Sequence, residues 1–197
     1  MENEFMKKFL APPAVSDDTD LEVVWIEAAQ ANPSAFEPLY LRYRERMYYY
    51  LRTRVQSAED AADLTHQVFL QALQALPRYR YRGVPFSVWL FRIAHHTAVN
   101  VSSRRFSTVP WDAFAEAVVC KPEQDPESYV LRQETFTHVR NLLQTLPAHK
   151  RELLALRFAA DLTVPEIAAI IGKRPDTIKK QLARLLQSLK EACHETE

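Results

Sequence analysis

Two runs of residues carry most of the chemistry in this chain, and neither spells a catalytic centre. Towards the C-terminal end, Lys173, Arg174, Asp176, Thr177, Lys179, Lys180, Gln181 and Arg184 are interleaved with the apolar Ile178, Leu182 and Leu185. A polar helix face of this make-up suits duplex nucleic acid. Arg and Lys pair with guanine, Gln pairs with adenine, and Thr meets a phosphate or a thymine methyl. In the first half, Arg78-Tyr79-Arg80-Tyr81-Arg82 alternates cation and aromatic beside Gly83 and Pro85, where a loop is expected. Aromatic faces stack on unpaired bases while guanidinium groups hold the phosphates, which is the chemistry of single-strand capture.

Other polar groups do not assemble into enzyme-like sets. His95 and His96 are neighbours, so on a helix they point apart and cannot chelate together. Ser102-Ser103 has no His–Asp partner at a suggestive spacing, and Asp17, Asp18 and Asp20 lack the glycine and terminal Glu of a calcium loop. With only two glycines, Gly83 and Gly172, the chain has no glycine-rich phosphate loop. Cys120 and Cys193 form no C-x-x-C pair and read as free thiols of a reducing cytoplasm. No apolar run reaches membrane-spanning length. The expectation is a non-enzymatic, cofactor-free, cytoplasmic protein that does not insert in membranes.

The elements that must position these residues are helices. Apolar periodicity near 3.6 recurs throughout, and no strand pattern appears. Helices are expected from an Asp20 cap to the break at Asn32-Pro33-Ser34, from Ala35 to about Val55, from a Ser57 cap to Pro77, and from Phe86 to about Arg105. Further helices are expected from Glu127 to Thr145, from Ala148 to Ala160, from a Thr163 cap to Ile171, and from Pro175 to Cys193. The last two, joined by Gly172-Lys173-Arg174, form a helix-turn-helix, whose second helix enters the major groove. Among the 197 residues the 25 basic and 25 acidic side chains cancel, but unevenly. Residues 36–105 hold 11 Arg against 5 acids, and 146–197 hold 9 basic residues against 7 acids, so two basic blocks flank an acidic stretch. Basic blocks favour a polyanion, because each neutralised phosphate releases counterions. The fold expected is all-α: a mobile leader at 1–20, a helical domain at 21–106, an acidic linker at 107–128, and a helix-turn-helix domain at 129–197. The two domains are expected to fold separately, with Trp111 and Phe114 in the linker hinting that they also pack together when free.

The segment Leu146-Pro147 … Arg151 … Leu156-Arg157 … Leu162-Thr163 … Glu166-Ile167-Ala168 … Gly172 … Thr177-Ile178-Lys179 resembles the C-terminal DNA-binding domain of bacterial RNA polymerase sigma factors, and most closely the extracytoplasmic-function (ECF) class. The first half resembles the same class at Phe36-Glu37-Pro38-Leu39-Tyr40, Glu59-Asp60-Ala61-Ala62-Asp63-Leu64-Thr65 … Val68-Phe69-Leu70, and Phe86-Ser87-Val88-Trp89-Leu90-Phe91-Arg92-Ile93-Ala94. The resemblance implies partners and roles. The helix with Asp63, Leu64, His66, Gln67, Val68 and Phe69 would dock on core RNA polymerase, at the β′ coiled coil and beside β. The loop with Arg78, Tyr79, Arg80, Tyr81 and Arg82, supported by Trp89, Arg92, His96, Asn100, Arg104 and Arg105, would take the promoter −10 element. Lys173, Arg174, Asp176, Thr177, Lys179, Lys180, Gln181 and Arg184 would read the −35 element, and the linker would thread the polymerase. An anti-sigma factor is a further implied partner. The chain departs from the family pattern at His66-Gln67, His96, Asn100 and Asp176. Two alternatives follow from the same residues: a plain helix-turn-helix regulator, or a degenerate sigma-like interaction protein.

Overall fold

A computed structural model describes residues 19–81, 83–105, 143 and 145–194. The expected leader up to residue 18, Arg82, the linker 107–128 and nearly all of the helix expected over 127–145 lie outside the described residues. So do the side chains of Asn100, Arg104 and Arg105.

The fold is all-α, with no strand among the described residues. Helix α1 spans Thr19–Ala31, and a 3₁₀ turn, Pro33–Phe36, follows it. Asn32 caps that turn by accepting from the Ser34 amide at 3.0 Å. Helix α2 (Glu37–Arg52) buries Leu39, Tyr43, Met47, Tyr50 and Leu51 along one stripe. The helix stops short of the expected Val55 for a local reason. The Thr53 hydroxyl bends back to the Tyr50 carbonyl at 2.7 Å, and Arg52 donates to the carbonyls of Val55 and Gln56. Helix α3 (Ala58–Ala75) begins as expected at Ser57, whose hydroxyl oxygen accepts from the Asp60 amide at 2.9 Å. Glu59 and Asp60 in its first turn complement the positive end of the helix dipole. A 3₁₀ turn at Leu76–Arg78 leads into the loop, and α4 (Phe86–Arg105) starts where the sequence places it.

In the second half, α5 (Ala148–Leu154) gives way to a π turn at Ala155–Ala159, so the expected helix to Ala160 widens in its last turn. The Ala160 amide reaches the Ala155 carbonyl at 2.9 Å, and Arg157 donates to the Leu162 carbonyl at 3.0 Å. Helix α6 (Val164–Ile171) opens on a full capping box. Glu166 accepts the Thr163 amide at 2.8 Å while the Thr163 oxygen accepts the Glu166 amide. It ends at Gly172 with φ 76°, the left-handed geometry that favours glycine. Helix α7 (Pro175–His194) completes the helix-turn-helix.

The two halves do not stand apart. Leu153, Leu156, Leu162, Ile167, Ala168, Ile178 and Leu182 join the same buried cluster as Leu39, Tyr50, Phe86, Leu90 and Phe91. Polar bonds reinforce the seam. Arg46 donates to the Ala160 and Asp161 carbonyls at 2.8 and 2.9 Å, and its guanidinium lies over the rings of Tyr43 and Phe91. The seam joins α2 and α4 to the π turn and α6.

Candidate nucleic-acid interface

The polar residues of α3 divide by face. Asp63, His66, Gln67 and Leu70 are exposed. Leu64, Val68 and Phe69 are buried, and the Phe69 ring packs against Phe36 and Tyr40 with centroids 6.3 and 4.8 Å apart. These three were expected on the docking surface; helical spacing instead turns them inward, where they hold the helix. Leu70, 56% exposed, is an apolar group that sequence reasoning left out of that surface. A groove of about 420 Å³ between α2 and α3 is lined by residues that include Tyr40, Arg44, Glu45, Tyr48, Tyr49 and His66.

The loop after α3 hangs on an unexpected support. Gln30 of α1 donates through Nε2 to the Leu76 carbonyl at 3.0 Å and to the Tyr79 carbonyl at 2.9 Å. Arg80 folds back onto the Pro77 and Tyr79 carbonyls. Arg78, Arg80 and Tyr81 are exposed, Tyr81 to 66%. Tyr79 corrects the expectation for this loop. It is 8% exposed, with its ring 5.4 Å from Phe86 and 5.0 Å from Trp89, so it forms a wall and is not free to stack on a base. Burial, aided by the charge of Glu22, pushes its phenol above the ordinary value.

Behind this wall, the Tyr43 hydroxyl donates to Glu22 at 2.5 Å, and Arg42 pairs with Glu22 at 3.4 Å. Burial first, and Glu22 second, raise the Tyr43 phenol far out of its ordinary range. This links α1 to α2.

Helix α4 meets the second half with residues expected at DNA. Arg92 donates to the Ala169 carbonyl near the end of α6, and Ser87 donates to Glu166, the same side chain that closes the α6 capping box. His96 is exposed and Trp89 is half-buried. Between the halves lies a cleft of about 700 Å³, whose lining includes Arg54, His95, His96, His149, Lys173 and Gln181.

At the cleft wall, Glu152 of α5 gathers three partners from the first half. Tyr50 donates to Oε1 at 3.0 Å, His95 Nδ1 stands 3.1 Å from the same oxygen, and Arg54 pairs with Oε2. Burial alone would raise the Glu152 carboxyl, but Arg54 first, then His95 and Tyr50, hold it down at about 2. For Arg54, burial pulls downward while Tyr50 and Glu152 outweigh it, leaving the guanidinium above its ordinary value. Nothing in the local sequence around Glu152 signals this cluster, since its partners lie 57 to 102 residues away.

On the helix-turn-helix, Lys173, Arg174, Asp176, Thr177, Lys179, Lys180 and Arg184 are exposed. Asp176 sits in the first turn of α7, where a carboxylate complements the helix dipole. Gln181 is half-buried and turned towards the cleft, with its Oε1 buried and unpartnered, so it stands apart from the exposed row. Among the described residues, no three His, Cys, Asp or Glu side chains converge as a metal site, and no helix is long and apolar enough to cross a membrane.

Comparison with known proteins gives this geometry its context. Residues 39–105 match Sigma-70 region 2, and residues 138–189 match Sigma-70, region 4. The ECF RNA polymerase sigma factor SigD of Mycobacterium tuberculosis is 30% identical over 193 residues, covering 95% of this chain and 90% of that one. BldN of Streptomyces coelicolor, also an ECF RNA polymerase sigma factor, is 32% identical over 180 residues, covering 90% of this chain and 67% of its own. The ECF RNA polymerase sigma-E factor of Escherichia coli is 29% identical over 175 residues, covering 84% and 91%. The structure of CnrH in complex with the cytosolic domain of CnrY superposes with a TM-score of 0.64 at 20% identity, covering 88% of this chain and 97% of that one, and so shares the fold. The chain belongs to the sigma-70 family of RNA polymerase sigma factors, in its ECF class. It is an alternative sigma factor that directs transcription initiation.

Proposed function

We propose that this sigma factor divides its work among three surfaces. The exposed face of α3, with Asp63, His66, Gln67 and Leu70, docks on the β′ coiled coil of core RNA polymerase. The loop with Arg78, Arg80, Tyr81 and Arg82, together with α4, captures the −10 element as a single strand. The exposed row of the helix-turn-helix, from Lys173 and Arg174 in the turn to Arg184 on α7, reads the −35 element as duplex. The chain positions and captures; it makes and breaks no covalent bond, and it works in the cytoplasm, where polymerase and promoter are. The observation that carries this reading is the split between an exposed cationic and aromatic loop and an exposed polar recognition helix, each on its own matched region.

The seam between the halves supports a second element of the reading. Arg92 and Ser87, on the −10 side, are engaged by α6 of the −35 side. The two reading surfaces must span separate promoter elements, so this closed arrangement is a resting state that opens on polymerase. CnrH is bound by the cytosolic domain of CnrY, and an anti-sigma partner of this kind is the expected competitor for the same surfaces. The test is retention on immobilised core RNA polymerase followed by abortive initiation on a promoter library. Sequence-dependent initiation is the expected result. Failure to bind core polymerase, with tight binding to duplex DNA by the protein alone, would overturn the reading in favour of a plain helix-turn-helix regulator.

A further inference from the structure

Gln30 lies on α1, ahead of the matched region 2, which begins at residue 39, and it faces no expected DNA surface. Its carboxamide nevertheless spans the turn on which the −10 loop is built. Nε2 reaches the Leu76 carbonyl at 3.0 Å and the Tyr79 carbonyl at 2.9 Å, one on each side of Pro77 and Arg78. A primary amide nitrogen carries two N–H donors, so a single Gln can satisfy both carbonyls at once. Within the loop itself, the Tyr79 amide closes onto the Leu76 carbonyl at 2.9 Å. Pro77 and Pro85 lack amide donors, and Gly83, with φ 72°, adds no side chain. Arg80 adds bonds to the Pro77 and Tyr79 carbonyls from within the segment, and Gln30 ties the same turn to α1 from outside it.

That support has a direction. With the Leu76 and Tyr79 carbonyls pinned, the Tyr79 ring is laid against Phe86 and Trp89, while Arg78 and Tyr81 stay exposed and Arg80, exposed too, folds back onto the loop's carbonyls. We infer that Gln30 is a positioning residue for capture of the −10 strand: it sets the loop so that its cations and its free aromatic face the strand, without touching DNA itself. The inference rests on the proposed role of this loop.

The experiment compares wild type, Gln30→Met, Gln30→Glu and Gln30→Lys as full-length chains bound to core polymerase. The readouts are core affinity, −35 duplex binding, and permanganate reactivity of −10 thymines. Methionine keeps the length but has no donor; glutamate places an acceptor against two carbonyls; lysine restores donors. Opening is expected to fall roughly tenfold in the Met and Glu variants, the scale of one to two lost hydrogen bonds, with core affinity and −35 binding within about twofold of wild type, and to recover in the Lys variant. Equal opening in wild type and the Met variant overturns the inference and leaves the loop's role standing. A fall in core affinity matching the fall in opening also overturns it, because Gln30 would then be supporting the whole helical unit. Should Arg78→Ala combined with Tyr81→Ala leave opening unchanged, the −10 role of the loop fails instead, and the inference falls with it.

Discussion

Replacing Glu152 by Gln is expected to loosen the seam between the two halves while leaving each half folded. The carboxylate is the point where the second half enters the first, and its three partners, Tyr50, Arg54 and His95, all belong to the other side. When the halves separate, Glu152 returns to water and to its ordinary value. The drop from 4.5 to about 2 therefore measures differential stabilisation of the closed form. That difference corresponds to about 3 kcal/mol, or a shift of about 300-fold in the balance between closed and open forms. The side chain is only 12% exposed, so solvent screening takes little from this figure.

Because the closed-state value is depressed, the contribution is fully present above pH 4.5 and is lost as the pH falls towards 2. The Gln variant should behave at neutral pH as wild type does when that carboxylate is protonated. It also leaves Arg54 buried without its counter-charge, which is the costly way to break a buried pair. Arg46, Ser87 and the shared apolar cluster still hold the seam, so the expected outcome is a mixed population and not full separation. Small-angle scattering and fluorescence transfer between dyes placed on α2 and α7 would both report it. The expected result is a larger radius of gyration and lower transfer at pH 7, with unchanged helicity. An unchanged radius and transfer efficiency in both Glu152→Gln and Glu152→Ala would refute the claim that this cluster holds the seam.

Other outcomes follow from the placement of single side chains. Phe69→Ala is expected to cost about 3–5 kcal/mol of stability in chemical denaturation, as a buried aromatic does, whereas Leu70→Asp should leave the unfolding midpoint nearly unchanged and weaken retention on core polymerase. Thr163→Ala removes one half of the capping box and should cost about 1 kcal/mol, seen as a lower melting temperature. Lys179→Ala should lower −35 duplex affinity and reduce the slope of log affinity against log salt by about 1, the mark of one lost phosphate contact; an unchanged slope would remove Lys179 from the interface.

Several features of this protein are set within a few residues of chain. Ser57, Thr163 with Glu166, and Gly172 announce helix ends because a cap acts on amides or carbonyls within one turn. The buried stripe Leu39, Tyr43, Met47, Tyr50 follows from helical periodicity alone. The helix-turn-helix is legible for the same reason, and its exposed row carries the residues expected of it, apart from Gln181. The helix expected from Ala35 to Val55 divides and shortens, since Asn32 and Thr53 bind nearby backbone groups in ways that periodicity does not register.

Tertiary structure decided which polar residues remain free. Arg46, Arg54 and Arg92 look alike in an Arg-rich stretch, yet each is drawn into the seam by a group more than 70 residues away. Tyr79 and Tyr81 lie two apart in one motif, and packing against Phe86 and Trp89 buries the first while the second stays open. Gln30 and Glu152 carry no local signature, because their partners are brought to them only when α1 crosses the loop and α5 meets α2 and α4. Local sequence specifies helices through short-range sterics and capping. Burial and electrostatic pairing depend on which surfaces meet, and that is settled only when the helices pack.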